Sequence, residues 1–98
     1  LLTNDRGGAI DVVIVYRRPA GDGYMVVVNA SNRDKDVAHM LSQRSARPEW
    51  DVAVRDVSDE TGMIAIQGPA AERIVERLTD TDASAIGPFR WAAATVAG

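Results

Sequence analysis

The sequence has no cysteine, which removes disulfides, thiolate metal sites and cysteine nucleophiles. It has one histidine, His39, too few for a multi-histidine metal cluster. Positive charge is also in deficit: 11 Lys and Arg stand against 14 Asp and Glu, a net charge of −3. That balance disfavours a phosphate-tracking or anionic-membrane surface, so neither nucleic acid nor membrane is expected as a partner. No apolar run approaches the roughly 18 residues of a membrane span, and no signal peptide is visible at Leu1. The absence of cysteine fits a reducing cytoplasm, which is the expected location. What remains is ordinary globular material: 46% hydrophobic and 26% charged residues over 98 positions, enough for one domain over residues 1–98 and against intrinsic disorder.

Periodicity gives the elements. Ala9 to Arg17 is rich in β-branched residues and apolar on both alternating faces, which predicts a covered central strand. A Pro19-Ala-Gly-Asp-Gly23 turn leads to a second strand, Tyr24 to Ala30, and the two read as a hairpin. The period then becomes helical, with Val37, Met40 and Leu41 inward, Ser31 or Asn32 as cap and Asp34 in the first turn. Trp50 to Arg55 and Met63 to Gln67 alternate as strands. Gly68-Pro69 opens a second helix striped by Ala71, Ile74, Val75 and Leu78, and Phe89 to Val96 reads as a closing strand. Trp50, Trp91 and Phe89 are expected to pack sheet against helices. The order β-β-α-β-β-α-β predicts an α+β fold: a ferredoxin-like β-α-β-β-α-β core with an additional N-terminal strand, an antiparallel-rich sheet and two helices. The missing initiator Met and the strand running to the last residues suggest a stretch of a longer protein.

Few residues stand out chemically. Gly7-Gly8 fits a turn needing positive φ better than a nucleotide loop, because no helix follows it. Asp11 interrupts an apolar strand, so its carboxylate lies at a solvated sheet end or is buried with partners. Asn29 and Asn32 either satisfy turns and caps or, with Asp11, line a polar pocket. Hairpin pairing would set Tyr16 near the turn and Asp11 toward the end that carries Asn29. His39 receives no role.

Several segments in order resemble one family: Leu2-Thr-Asn-Asp-Arg-Gly-Gly-Ala-Ile-Asp11, Ile14-Val-Tyr16, Val26-Val-Val-Asn-Ala-Ser-Asn-Arg-Asp-Lys-Asp36, Asp56-Val-Ser-Asp59 and Ala65-Ile-Gln-Gly-Pro69. Together they are similar to the folate-binding region of the glycine cleavage system T protein, an aminomethyltransferase. The resemblance implies transfer of a one-carbon unit from the lipoyl arm of the H protein to tetrahydrofolate, with release of ammonia. It implies folate contacts at Asn29 and Asn32, with Tyr16 lining the same pocket and Asp11 as polar support. The family strand usually carries two successive aspartates, the second credited with the key catalytic role. Here Asp11 holds the first position and Val12 the second, so no catalytic residue of this segment is intact. The resemblance therefore implies a poor aminomethyltransferase or a diverged folate-binding paralogue. A non-catalytic folate- or partner-binding module is the alternative, as is a ferredoxin-like assembly domain forming homo-oligomers through an edge strand. The 98-residue stretch alone is expected to be inactive.

Overall fold

A computed structural model describes residues 1–98, which divide into two compact units, Leu1–Thr61 and Gly62–Gly98. The first unit holds four short strands, β1 (Leu2–Thr3), β2 (Ala9–Asp11), β3 (Ile14–Arg17) and β4 (Tyr24–Val27), followed by helix α1 (Arg33–Ser45). The second holds α2 (Ala71–Glu76) and a 3₁₀ turn at Ala83–Ala85. The result is a small α+β protein with two antiparallel two-stranded sheets, β1–β2 and β3–β4, and two α-helices.

The Ala9 to Arg17 run is not one covered strand. It breaks at Val12-Val13, and its exposed residues include Val12 at 71% and Val15 at 57%. Side chains explain the break. The Val12 N–H donates to Asp11's own Oδ1 at 2.7 Å, and the Val12 carbonyl accepts from Asn29 Nδ2 at 3.2 Å, so both backbone groups are satisfied outside a ladder. Upstream, β1 pairs with β2 across a turn built by Asn4, whose Oδ1 accepts from the Arg6 and Gly8 N–H groups at 3.0 and 2.9 Å. Gly7 takes φ 78° there, a left-handed conformation that glycine reaches without steric cost, and the glycine pair is a turn.

The predicted hairpin forms. Ile14 opposes Val27 and Arg17 opposes Tyr24, with Gly21 and Gly23 supplying positive φ in the loop. Asn29 then starts a 3₁₀ turn, Ala30–Asn32, that runs into α1. Asn32 occupies the N-cap position of α1 but makes no side-chain cap hydrogen bond, and Asp34 sits in the first turn, where its charge is favourable. The inward stripe is rotated from the predicted one: Leu41 is 44% exposed, whereas Asp36 is fully buried and Met40 and Gln43 are half-buried.

The ferredoxin-like sheet is absent, because Trp50 to Arg55, Met63 to Gln67 and Phe89 to Val96 carry no strand. Each sheet has only two strands, and an extended segment becomes a strand only when a neighbouring ladder receives its N–H and C=O groups. Their apolar side chains stay open, with Ile64 at 88% and Phe89 at 106% exposure, and no apolar side chain anywhere in the chain is buried. Trp50 is 48% exposed, and the Arg47 guanidinium lies 4.9 Å from its ring centroid. The second helix starts at Ala71, after Gly68-Pro69 and the N-cap Ala70, and keeps only Ala71 and Val75 half-buried of its predicted stripe.

An ion-pair network ties α1 to the segment after Val54. Arg33 donates to Asp56 Oδ2 at 3.0 Å and to Asp59 Oδ1 at 2.8 Å, while Asp56 Oδ1 accepts from the Ser58 hydroxyl and N–H at 2.6 and 2.9 Å. The network holds the 3₁₀ turn Ser58–Glu60. Replacing Arg33 by Met is expected to speed amide exchange at Ser58 and Glu60 by about two- to fivefold, the range of a partly exposed ion pair, while the β3–β4 amides stay unchanged.

Candidate functional site

The end of β2, the residues after β4 and the first turn of α1 converge on one carboxylate. Asp11 Oδ1 accepts from Asn29 Nδ2 at 2.7 Å, as well as from the Val12 N–H. Lys35 Nζ caps the preceding carbonyl, that of Ile10, at 3.0 Å, and so fastens the helix to the strand end. Asn32 faces Asp11 from the helix entry and stabilises its charge without closing a well-aligned hydrogen bond on Oδ2. Asp36 lies one helical turn beyond Asn32, on the same face, and is the only fully buried side chain in the chain.

The electrostatics separate the two acids. Burial pushes the Asp11 pKa up, but the nearby Asn32 amide and Asp36 carboxyl, together with hydrogen bonds from the Val12 N–H and Asn29, outweigh it and bring the pKa down to about 2. Asp36 moves the other way: burial raises its pKa first, and its contact with the Asp11 carboxylate raises it further, against small opposing contributions from Lys35 and His39. Asp56, held by Ser58 and then Arg33, is also lowered to about 2.

The sign of the acid response follows. Asp11 and Asp56 bind protons less readily when folded than when unfolded, where the aspartate pKa is about 3.9. Their contribution is therefore complete above pH ~4 and is lost as pH falls toward 2. Asp36 has the opposite sign, so its contribution is present in acid and disappears as pH rises through its elevated pKa. Chemical denaturation followed between pH 2 and 8 is expected to show both limbs, and Asp36→Asn is expected to remove only the upper one.

Val12 stands apart from this cluster. Its side chain is 71% exposed while the adjacent Asp11 carboxylate turns inward, so the two successive side chains point in different directions. Tyr16 lies in β3 opposite Met25, toward the turn and away from the Asn29 end. The structure thus brings Asp11, Asn29 and Asn32 together and leaves Tyr16 further along the hairpin. An apolar cavity of about 270 Å³ lies elsewhere in the same unit, lined by residues including Leu2, His39, Met40 and Trp50. None of Asp11, Asn29, Asn32 or Asp36 lines it. No group of three or more His, Cys, Asp or Glu side chains is placed to hold a metal ion.

Comparison with known proteins decides the family, since the GCVT N-terminal domain profile matches residues 1–98. The chain belongs to the GCVT N-terminal domain family. Its relatives include the aminomethyltransferase of Geobacillus kaustophilus, 45% identical over 94% of this chain and 24% of that protein. The aminomethyltransferase of Rubrobacter xylanophilus is 44% identical over 89% of the chain and 22% of its own length. That of Geobacillus thermodenitrificans is 43% identical over 91% and 23%. The chain thus spans about a quarter of the length of these relatives. No solved structure is significantly similar to it. No helix is long and apolar enough to cross a membrane.

Within this GCVT domain, sequence reasoning missed Asp36 and Lys35. A signal for Asp36 was available: it occupies the position, four before Met40 and seven before Gln43, where the inward stripe of α1 calls for an apolar residue. An acid there needs a partner, and Asp11 is the one that the fold supplies.

Proposed function

We propose that this chain forms one wall of a tetrahydrofolate-binding pocket in a T-protein-type protein acting on folate-linked one-carbon groups. The observation that carries the reading is Asn29, whose amide bridges the Asp11 carboxylate and the Val12 carbonyl. With its nitrogen committed to both, Asn29 is held in one orientation, and its Oδ1 makes no hydrogen bond within the chain. That oxygen is an acceptor suited to the N–H groups of a pterin ring. Asn32 adds a second amide beside it. Tyr16, placed along the hairpin from the amide pair, lines the pocket farther from the pterin end, and Asp11 serves as polar support.

The reaction of the T-protein family passes an aminomethyl carbon from the lipoyl arm of an H protein to tetrahydrofolate and releases ammonia. This chain's residues bind and orient the folate. They do not supply the proton chemistry, because Val12 has no titratable group and Asp11, ionised and held on Oδ1 by the Val12 N–H and the Asn29 amide, turns away from it. The assignment is therefore folate binding with weak aminomethyl transfer in the full-length protein. A folate- or partner-binding module without catalysis is the limiting case of the same reading, and the exposed Val12 side chain favours it.

Thermal unfolding of the full-length protein with and without tetrahydrofolate tests the binding. Ligand at 100 times its Kd is expected to stabilise by about 2.7 kcal/mol and raise the Tm by several degrees. A Tm indifferent to millimolar tetrahydrofolate would refute the proposal.

A further inference from the structure

Asp36 has no place in the folate contacts just described, yet its position demands an explanation. It is fully buried, and neither of its side-chain oxygens receives a hydrogen bond from any N–H or hydroxyl. Asp11 Oδ2 is likewise buried without a hydrogen-bond partner, and the Asp11 carboxylate lies beside Asp36. Two ionised carboxylates cannot occupy such a site together, because each would be an uncompensated charge beside a like charge. A single proton between them removes the like-charge repulsion and pairs one oxygen of each acid, since a protonated carboxyl is a donor and a carboxylate is an acceptor.

We propose that Asp36 is a positioning residue that shares one proton with Asp11, and that this acid pair fixes Asn29 and the Val12 backbone in the arrangement that receives folate. The proton resides on Asp36, and its O–H donates to Asp11 Oδ2. Asp11 then keeps its negative charge on the side facing Asn29 Nδ2 and the Val12 N–H. The remaining polar groups fit this assignment. Lys35, adjacent on α1, spends its ammonium on the Ile10 carbonyl, and Asn32 adds a dipole from the helix entry. Lys35 and His39 favour the charged form of Asp36 only weakly against burial and the Asp11 charge. When pH rises far enough to remove the shared proton, the pair becomes doubly negative and repels, and the Asn29 anchor loosens.

The role in folate positioning rests on the proposed folate reading, so the test has two arms. In the first, the aspartate carboxyl carbons of the ¹³C-labelled full-length protein are titrated by NMR without ligand. The Asp36 carbon is expected to titrate above the ordinary aspartate value of about 3.9 and that of Asp11 below it. Amide exchange at Val12, corrected for intrinsic rates, is expected to quicken as Asp36 ionises. In the second, tetrahydrofolate affinity is measured against pH for the wild type, Asp36→Asn and Asp36→Leu. Asparagine donates an N–H at every pH, so D36N is expected to stay within about threefold of the wild type's best affinity and to lose its alkaline decline. Leucine leaves Asp11 without that donor and is expected to weaken binding on the order of tenfold at all pH. An Asp36 carbon that titrates at or below 3.9 overturns the shared proton. D36N behaving like D36L overturns the positioning role. If tetrahydrofolate fails to bind any variant while the first arm succeeds, the folate reading falls and the acid pair stands.

Discussion

Replacing Val12 by Asp in the full-length protein is expected to raise tetrahydrofolate-dependent aminomethyl transfer by ~10²–10⁴-fold, the usual contribution of a positioned acid or base. The structural basis is local. Position 12 lies just past the end of β2, in a backbone break held open by the Asp11 carboxylate and the Asn29 amide, and its side chain is exposed rather than packed. An aspartate can occupy it without displacing a neighbour or entering a buried site, so the substitution tests chemistry and not stability. Single-turnover transfer and folate affinity measured together separate the outcomes. Unchanged affinity with a large gain in rate supports an acid at position 12 as the missing group. Unchanged rate with normal folate binding would place the deficit elsewhere. The 98-residue chain by itself is expected to show no turnover with either residue at this position, and detectable transfer by it would contradict that expectation.

The second large effect is expected at Asn29. Asn29→Asp keeps the shape of the side chain, removes the only side-chain N–H donor on Asp11 Oδ1, and sets a third carboxylate beside Asp11 and Asp36. Loss of one donor to a charged, half-buried acceptor costs about 1–3 kcal/mol, and like charge adds to it. Tetrahydrofolate affinity is therefore expected to fall on the order of a hundredfold at neutral pH, with partial recovery as acid protonates the new carboxylate. Asn29→Ala removes both the donor and the Oδ1 acceptor but adds no charge beside the two acids, and it is expected to lose less than Asn29→Asp, about tenfold. The order of the two variants is the informative result: an Asn29→Asp protein that binds as tightly as Asn29→Ala would show that the carboxylates do not interact across this site.

Much of the first unit was legible in the sequence because its signals are local. The Asp22-Gly23 turn between two β-branched runs encodes a hairpin between Ile14 and Val27, and the structure has it in β3 and β4. The shift to helical period after Ala30 located α1, although the inward face was misjudged, since a carboxylate at its centre contradicts the usual apolar stripe. The later strands failed for a different reason. Met63 to Gln67 and Phe89 to Val96 have the composition of strands, but composition is a preference and pairing is a fact about neighbours. Neither segment carries a strand here; Phe89 lies in a turn with φ 58°, and side chains such as Ile64 and Phe89 are exposed.

By itself, the sequence determined the family-like order of segments, the hairpin, the helix and a valine directly after Asp11, because each is written in residues close together along the chain. Only the tertiary structure decided that Asp11 is an inward, charge-stabilised carboxylate and that Asp36, 25 positions later, is its buried partner. A carboxyl group's protonation and orientation depend on which donors surround it in space, and periodicity along a chain carries no record of a contact between a strand end and a distant helical turn.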